Sequence, residues 1–177
     1  MRAADERVAW LTRPGGPEDV EFLRDMLYEA ACWRPGASRP LRDEVLSAHE
    51  NALYLEDWGR DGDTAVVALG PDGGGRIGAA WYRLMPPEDP GYGFVDASTP
   101  EVAIGVVPEF RGCGVGGALL DGLMHTARSQ GFEVLSLSVE PDNLAIRLYE
   151  RKGFEKLFAG DGSVTMRADL ASAPKRG

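Results

Sequence analysis

The stretch "VVPEFRGCGVGGALL", residues 106–120, places four glycines in six positions between an apolar run and an amphipathic one. Three of them, Gly112, Gly114 and Gly117, have the G-x-G-x-x-G spacing of a dinucleotide-binding turn. Small residues let the backbone approach a ligand closely, and the N–H groups that open a following helix attract an anion. Arg111, just before the first glycine, adds forked donors that suit phosphate. The stretch therefore predicts a phosphate-binding turn.

A dinucleotide-binding fold is the first alternative, and the surrounding sequence disfavours it. A strand precedes the glycines, and Glu133 or Glu140 lies roughly 20 residues downstream, where a ribose-binding acid belongs. However, "PEFR" separates the strand from the glycines, and about a hundred residues precede a motif that normally opens its domain. Only about forty residues follow the next strand, too few for the remaining βαβ units.

Hydrophobic periodicity and turn residues predict the element order β-α-α-β-β-β-α-β-α-β-β. Such an order is typical of an α/β protein with a mixed sheet and helices on its faces. The predicted strands cover residues 7–13, 64–70, 76–85, 101–107, 132–140, 154–160 and 163–170. The predicted helices cover residues 18–31, 41–55 and 115–130, with a short one from Asp142 or Asn143 to about Lys152.

The length of 177 residues and the composition predict one globular domain, residues 1–170, with a disordered tail at 171–177. The net charge of −9 argues against a nucleic-acid partner. An acidic surface attracts cationic ligands such as amines, although most acidic proteins are acidic for solubility alone.

Cysteine and histidine are scarce, which argues against a metal site. Cys32 and Cys113 form no disulfide framework, and only His49 and His125 offer imidazoles, so we expect no metal. No segment approaches the ~20 apolar residues of a membrane span, so we expect no membrane partner and a cytoplasmic location.

A second motif gives the glycine turn a specific meaning. The stretch 106–120 resembles the acyl-CoA-binding motif Arg/Gln-x-x-Gly-x-Gly/Ala of the GCN5-related N-acetyltransferase (GNAT) superfamily, with Arg111, Gly114 and Gly116 at its positions. "VEPDNLAIRLYERKGF", residues 139–154, is similar to the family's Asn-x-x-Ala-x-x-x-Tyr-x-x-x-Gly-Phe. Asn143, Ala145, Tyr149, Gly153 and Phe154 occupy those positions.

The resemblance implies a fold and a reaction. The fold is a central, mostly antiparallel sheet, splayed between its fourth and fifth strands, with helices on both faces. The reaction is direct transfer of an acetyl group, in a ternary complex, from acetyl-CoA to a primary amine of a small molecule, peptide or protein. The alternative is a non-catalytic domain that binds or senses acyl-CoA. We expect a monomer or homodimer.

The resemblance also assigns residues to the co-substrate. It implies that the pyrophosphate of acetyl-CoA is held by Arg111 and by the turn formed by Gly112, Cys113, Gly114, Val115 and Gly116. A bulge in strand 101–107 would splay it from strand 132–140, and an N–H of that bulge would stabilise the developing oxyanion. The pantetheine arm would pair with the backbone near Ile104 and Val106, with Asn143 and Tyr149 close by.

Two residues are the predicted catalytic groups. Tyr149 stands at the family's acid position, where a phenol can protonate the departing thiolate; taken alone it would be a half-buried core aromatic. Glu101 is the acidic candidate for a base, acting directly or through water, with a structural or substrate-anchoring role as the equal alternative. Ser138 is a further candidate for ordering a water, and Cys113 is interpreted as a spacer.

Aromatic residues are the candidates for binding the acceptor. We expect Trp33 with Arg34, the strand pair Trp81 and Tyr82, and the long proline-rich loop holding Tyr92 and Phe94 to select it, although each aromatic also suits a core. The sequence leaves open whether the acceptor is a small amine, an antibiotic, a polyamine, or a protein N-terminus or lysine.

Overall fold

The computed structural model describes residues 10–171 and has a mixed α/β architecture. Its strands are β1 (Leu11–Pro14), β2 (Thr64–Leu69), β3 (Arg76–Arg83), β4 (Glu101–Val106), β5 (Val134–Val139), β6 (Phe154–Gly160) and β7 (Ser163–Asp169). Its helices are α1 (Val20–Ala31), α2 (Arg42–Ser47), α3 (His49–Ala52), α4 (Val115–Ser129) and α5 (Ala145–Arg151). Residues 7–9 of the first predicted strand and 172–177 of the predicted tail lie outside the described residues.

The seven strands form one sheet in the order β1-β2-β3-β4-β5-β7-β6. Every neighbouring pair is antiparallel except β4 and β5, which run parallel and share a single registered pair, Glu101 with Ser136. Beyond that pair the two strands diverge. The prediction of a mostly antiparallel sheet, splayed between its fourth and fifth strands, is confirmed.

The splay separates two intact half-sheets and involves no bulge in β4. The strand pairs with β3 in unbroken register from Gly78–Val106 to Arg83–Glu101. The register shifts lie elsewhere, at Ala68/Leu69 and at Lys156/Phe158. The predicted bulge in strand 101–107 is therefore wrong. Because β3 holds β4 along its whole length, and β7 holds β5 in the same way, the two strands separate as members of different half-sheets.

Side-chain alternation along the sheet builds a core on each face. One core packs α4 against the sheet, and the predicted apolar face of that helix is buried: Leu119, Leu120, Leu123, Met124 and Ala127. The other core packs α1 through Leu23, Met26 and Leu27. Gly105 permits the close approach of α1 to β4, because a Cβ there would lie 2.2 Å from the Met26 carbonyl oxygen.

The single helix predicted for residues 41–55 is wrong. Ala48 is extended, with ψ near 129°, and divides the segment into α2 and α3. After α3 the chain turns so that Leu53, Tyr54 and Leu55 are buried in the core that contains α1. Burial of these three side chains outweighs the helical propensity of the segment.

Candidate active site

The gap between β4 and β5 opens a cleft of about 710 Å³. Ser136 N–H donates to the carbonyl of Pro100 (3.0 Å), and successive peptide groups of a strand alternate in direction. The peptide groups of Ile104 and Val106 therefore face the gap, where β5 has moved away. An extended ligand can pair with them as an added strand does.

The glycine turn stands at the rim of this cleft and leads directly into α4. Gly112 (φ 73°) and Gly114 (φ 96°) have positive φ, which residues with a side chain adopt only with strain. Gly116 faces α5, and a Cβ there would lie 3.0 Å from a methyl carbon of Leu148. The exposed turn thus presents the N-terminus of a fifteen-residue helix, the geometry of an anion site.

Arg111 lines the cleft beside the turn, but its guanidinium is already engaged. Its Nη2 donates to Glu29 on α1 (2.7 Å), and its Nε donates to the carbonyl of Val106 (3.1 Å). The same Glu29 carboxylate accepts from Arg39 (2.9 Å). Two guanidinium groups share one carboxylate here, which leaves a net positive charge next to the turn.

Tyr149 reaches the cleft from α5 and is almost fully buried. Its ring meets that of Phe154 edge to face at 6.1 Å, and its hydroxyl makes no hydrogen bond to the described residues. Burial raises the pKa of Tyr149 to about 12. The phenol thus keeps its proton at physiological pH and retains an uncommitted donor.

Glu101 reaches the same cleft from the first residue of β4, with 2 % of its surface exposed. Its Oε1 accepts from the Tyr54 hydroxyl and from Gly93 N–H (2.8 Å), whereas its Oε2 has no hydrogen-bond partner. Burial raises the pKa of this carboxyl, while the two hydrogen bonds act in the opposite direction. A carboxylate with a raised pKa and a free oxygen can accept a proton.

Three further predicted residues line the cleft. Asn143 Oδ1 accepts from Ala145 N–H (2.9 Å), so this side chain both caps α5 and borders the site. Ser138 projects from β5. Trp33 Nε1 donates to Glu140 (3.2 Å) across the mouth of the cleft.

The structure does not bring Trp81 and Tyr82 to the cleft. Both have 0 % of their surface exposed, on opposite faces of β3. Trp81 donates to the carbonyl of Tyr54 (3.2 Å), and the Tyr82 hydroxyl donates to Gln130. The expectation that they contact the acceptor is corrected, because neither side chain presents an atom to the cavity. Of the other candidates, Tyr92 lines the cavity and Phe94 packs against the core.

Sequence reasoning missed the groups that hold Glu101. Tyr54 comes from the segment after α3, and Gly93 from the long proline-rich loop. A Cβ on Gly93 would lie 2.5 Å from the backbone carbon of Leu137, so only glycine allows the loop this close to β5. The repeated glycine in "PGYGF" was the available signal.

Comparison with known proteins assigns the family. A family sequence model with the description "Acetyltransferase (GNAT) family" matches residues 25–154. The chain belongs to the GNAT acetyltransferase family. The family predicted from the sequence is confirmed. At the level of the family, the prediction of an acetyl-CoA-dependent acetyltransferase is confirmed as well.

Several relatives of this GNAT domain bear the name mycothiol acetyltransferase. The one from Geodermatophilus obscurus is 38% identical over 96 residues, which are 53% of this chain and 30% of that protein. The one from Nocardiopsis dassonvillei is 39% identical over 134 residues, which are 73% of this chain and 39% of that protein. The chain thus spans well under half the length of these two relatives.

Solved structures share the fold. A GNAT superfamily phosphinothricin acetyltransferase from Sinorhizobium meliloti, in complex with AcCoA, superposes with a TM-score of 0.66 at 22% identity, covering 95% of this chain and 94% of that one. An N-acetyltransferase (PaiA) from Thermoplasma acidophilum, in complex with coenzyme A, gives a TM-score of 0.68 at 17% identity, covering 91% and 99%. At this identity the likeness establishes the fold.

Membrane-spanning helices and metal-ligand clusters are both absent from residues 10–171. Among these residues no helix is long and apolar enough to cross a membrane. The same part of the chain has no group of three or more His, Cys, Asp or Glu side chains arranged to hold a metal ion.

Proposed function

We propose that this domain transfers the acetyl group of acetyl-CoA to a primary amine by direct attack in the cleft between β4 and β5. One observation carries the proposal: Glu101 and Tyr149 reach the same cleft from a strand and a helix. Glu101 holds a carboxylate oxygen without a hydrogen-bond partner, and the Tyr149 hydroxyl donates to none of the described residues. A base and an acid are the two groups that this transfer requires.

Glu101 would prepare the acceptor. An ammonium cannot attack a carbonyl, so the acceptor must first lose a proton, which Oε2 can take directly or through a water. The hydrogen bonds from Tyr54 and Gly93 fix Oε1, so the free oxygen keeps its direction. The raised pKa of the Glu101 carboxyl brings its basicity closer to what this step needs.

Tyr149 would act on the leaving group. In the transfer a bond forms between the amine nitrogen and the acetyl carbon, and the bond from that carbon to sulfur breaks. Negative charge develops on the sulfur, and a phenol with no competing partner can stabilise it by a hydrogen bond and then deliver its proton. The second proton that the attacking nitrogen loses then restores the phenol through solvent. The hydroxyl of Tyr149 is free for this because none of the described residues accepts a hydrogen bond from it.

The co-substrate would lie along the glycine turn and the peptide groups of β4 that face the gap. The pyrophosphate suits the N–H groups of Gly112, Cys113, Gly114, Val115 and Gly116 at the start of α4, with Arg111 beside them. The pantetheine arm suits the peptide groups of Ile104 and Val106, with Asn143 at its side. The solved neighbours with AcCoA or coenzyme A bound support this placement.

We further propose that the acceptor is a small-molecule or peptide amine. We also propose that the protein is cytoplasmic and that it is a monomer or a homodimer. The mycothiol acetyltransferase relatives, which the chain matches over less than half their length, support a small-molecule acceptor.

A thiol-release assay tests the function against the sensing alternative. Purified protein is incubated with acetyl-CoA and a panel of primary amines, and binding of CoA is measured separately by calorimetry. We expect release of free thiol that depends on at least one amine. Tight CoA binding without thiol release for any acceptor would instead support a non-catalytic acyl-CoA sensor.

A further inference from the structure

A second cavity, of about 390 Å³, adjoins the end of the cleft away from the glycine turn. It lies between α3, the loop at residues 90–92 and the turn that joins β6 to β7. Glu50, Tyr92, Asp161 and Ser163 line both spaces, so the two are continuous. A molecule that enters here reaches Glu101 without crossing the glycine turn.

This entrance is lined by negative charge that no ion pair among the described residues neutralises. Glu50 and Asp161 form no ion pair with any Lys, Arg or His among residues 10–171, and no cationic side chain of the described residues lines the smaller cavity. His49, next to Glu50 in the chain, is hydrogen-bonded to Asp89 (2.8 Å). The one described arginine that lines the main cleft, Arg111, stands at its opposite end.

A buried atom gives a second, independent indication of a ligand. Glu101 Oε2 is buried and unpartnered, although a buried carboxylate oxygen normally accepts a hydrogen bond. A Cβ on Gly91 would lie 2.2 Å from this oxygen, and Gly91 lines the smaller cavity. The free oxygen therefore lies directly behind Gly91, at the boundary between the cleft and the smaller cavity. An N–H group that arrives from this side would satisfy it.

The walls between the carboxylates are apolar. Leu53, Tyr92 and Phe158 line the smaller cavity, and the last two are half exposed. Aromatic rings of this kind contact methylene groups and also attract a cation to their faces. The surface suits a chain of carbon atoms with a positive charge at each end.

We propose that the acceptor is a primary amine that carries a second positive charge, of which a linear diamine is the simplest example. The reacting amine lies against Glu101 Oε2, and the distal ammonium lies between Glu50 and Asp161. Glu50 and Asp161 thereby determine specificity without taking part in proton transfer. The inference rests on the proposed function, because it places the amine that the transfer consumes.

Matched acceptors test the charge preference. Linear amines of two to eight methylene groups are compared at each length with the distal end as ammonium, methyl or carboxylate. Binding to the protein–CoA complex is measured by calorimetry, and acetylation by thiol release. At low salt we expect the diamine to bind and react at least tenfold better than the matched monoamine at the best length, and the amino acid to be the poorest of the three. The preference should weaken as salt is added.

Substitutions test whether Glu50 and Asp161 cause the preference for the diamine. Glu50→Gln and Asp161→Asn should each reduce the diamine-to-monoamine ratio roughly fivefold, the scale of one partly exposed charge pair. Kinetics of the monoamine should change less than those of the diamine in both, because only the diamine places a charge between the two carboxylates. Glu133→Gln makes the same charge change on an exposed side chain at the opposite end of β5 and should leave the ratio unaltered.

The outcomes separate the two proposals. Equal binding of all three acceptor types at every length, or a ratio that survives both substitutions, would overturn the inference even if acetylation occurs. Selective binding of the diamine, with no thiol release by any acceptor, would support the charged site and contradict the transferase function.

Discussion

Burial acts on Tyr149 and Glu101 in the same direction and suits them to the opposite tasks that we propose for them. It raises the pKa of both groups, because each would lose hydration on becoming charged. For the phenol this secures the proton that the leaving group needs. For the carboxyl it increases the affinity for the proton that the amine must lose. The two residues share one cleft and thus complement each other.

Tyr149→Phe isolates the contribution of the hydroxyl. We expect kcat to fall by about 100-fold, the lower range for loss of a general acid, with KM changed less than twofold. Stability should hardly change, because the hydroxyl has no partner among the described residues. Steady-state thiol release and a urea titration measure the two effects.

Tyr28→Phe is the matched control, since that hydroxyl donates to the Pro40 carbonyl at the surface. An unchanged kcat in Tyr149→Phe would remove this residue from the acid role.

At the scale of elements, the sequence predicted the strands and helices that are determined by nearby residues. Glycine and proline positions and the apolar stripe of α4 indicated most strands and helices correctly. The division into α2 and α3 was hidden, because it results from the burial of Leu53–Leu55 against α1, which is distant in the sequence. Trp81 and Tyr82 were misassigned for the same reason: alternation puts them on opposite faces, but only packing shows that both faces are covered.

The link between α1 and the glycine turn yields a prediction for co-substrate binding. Glu29 neutralises part of the positive charge that Arg111 and Arg39 bring to this end of the cleft. Glu29→Gln should free Arg111 and tighten CoA binding roughly fivefold, the scale of one partly exposed ion pair. Calorimetric titration with CoA at low and high salt measures this, and the gain should shrink as salt rises.

Glu21→Gln, on the exposed side of the same helix, is the matched control and should leave CoA affinity unaltered. Weaker CoA binding in Glu29→Gln would mean that the carboxylate positions the turn and does not compete with phosphate.

At the scale of the molecule, the net charge of −9 conceals a division that composition cannot reveal. Arg111, Arg39 and the N-terminus of α4 make one end of the cleft electropositive. Glu50, Asp161 and Glu101 make the other end electronegative. The acidic composition suggested amines only weakly, because the same excess of carboxylates arises on surfaces selected for solubility. Only the arrangement of the chain shows which carboxylates share a cavity.

Asp19 and Glu101, two carboxyl groups in contrasting environments, should give the free energy of unfolding opposite dependences on pH. Asp19 is fully buried and accepts from Arg13 (2.7 Å), Arg76 (3.0 Å) and Gly16 N–H (2.8 Å). These bonds, that of Arg13 above all, hold the pKa of Asp19 far below its usual range. Its stabilisation is therefore complete above the unfolded pKa of about 4 and is lost as the pH falls below it. Burial raises the pKa of Glu101, so its ionisation opposes folding as the pH rises above about 4.5.

Asp19→Asn should lower the free energy of unfolding by about 2 kcal/mol at pH 7, the scale of a lost charged hydrogen bond. The loss should diminish as the pH is lowered from 4 to 2, because the unfolded wild-type chain then binds a proton at this carboxyl while the folded protein does not. Glu101→Gln keeps an oxygen for Tyr54 and Gly93, and should raise stability at pH 8 while leaving it unchanged at pH 4. Urea titrations of both variants over this range measure the differences. An Asp19→Asn loss that is equal at pH 3 and pH 7 would show that geometry, and not charge, joins Arg13, Arg76 and the start of α1.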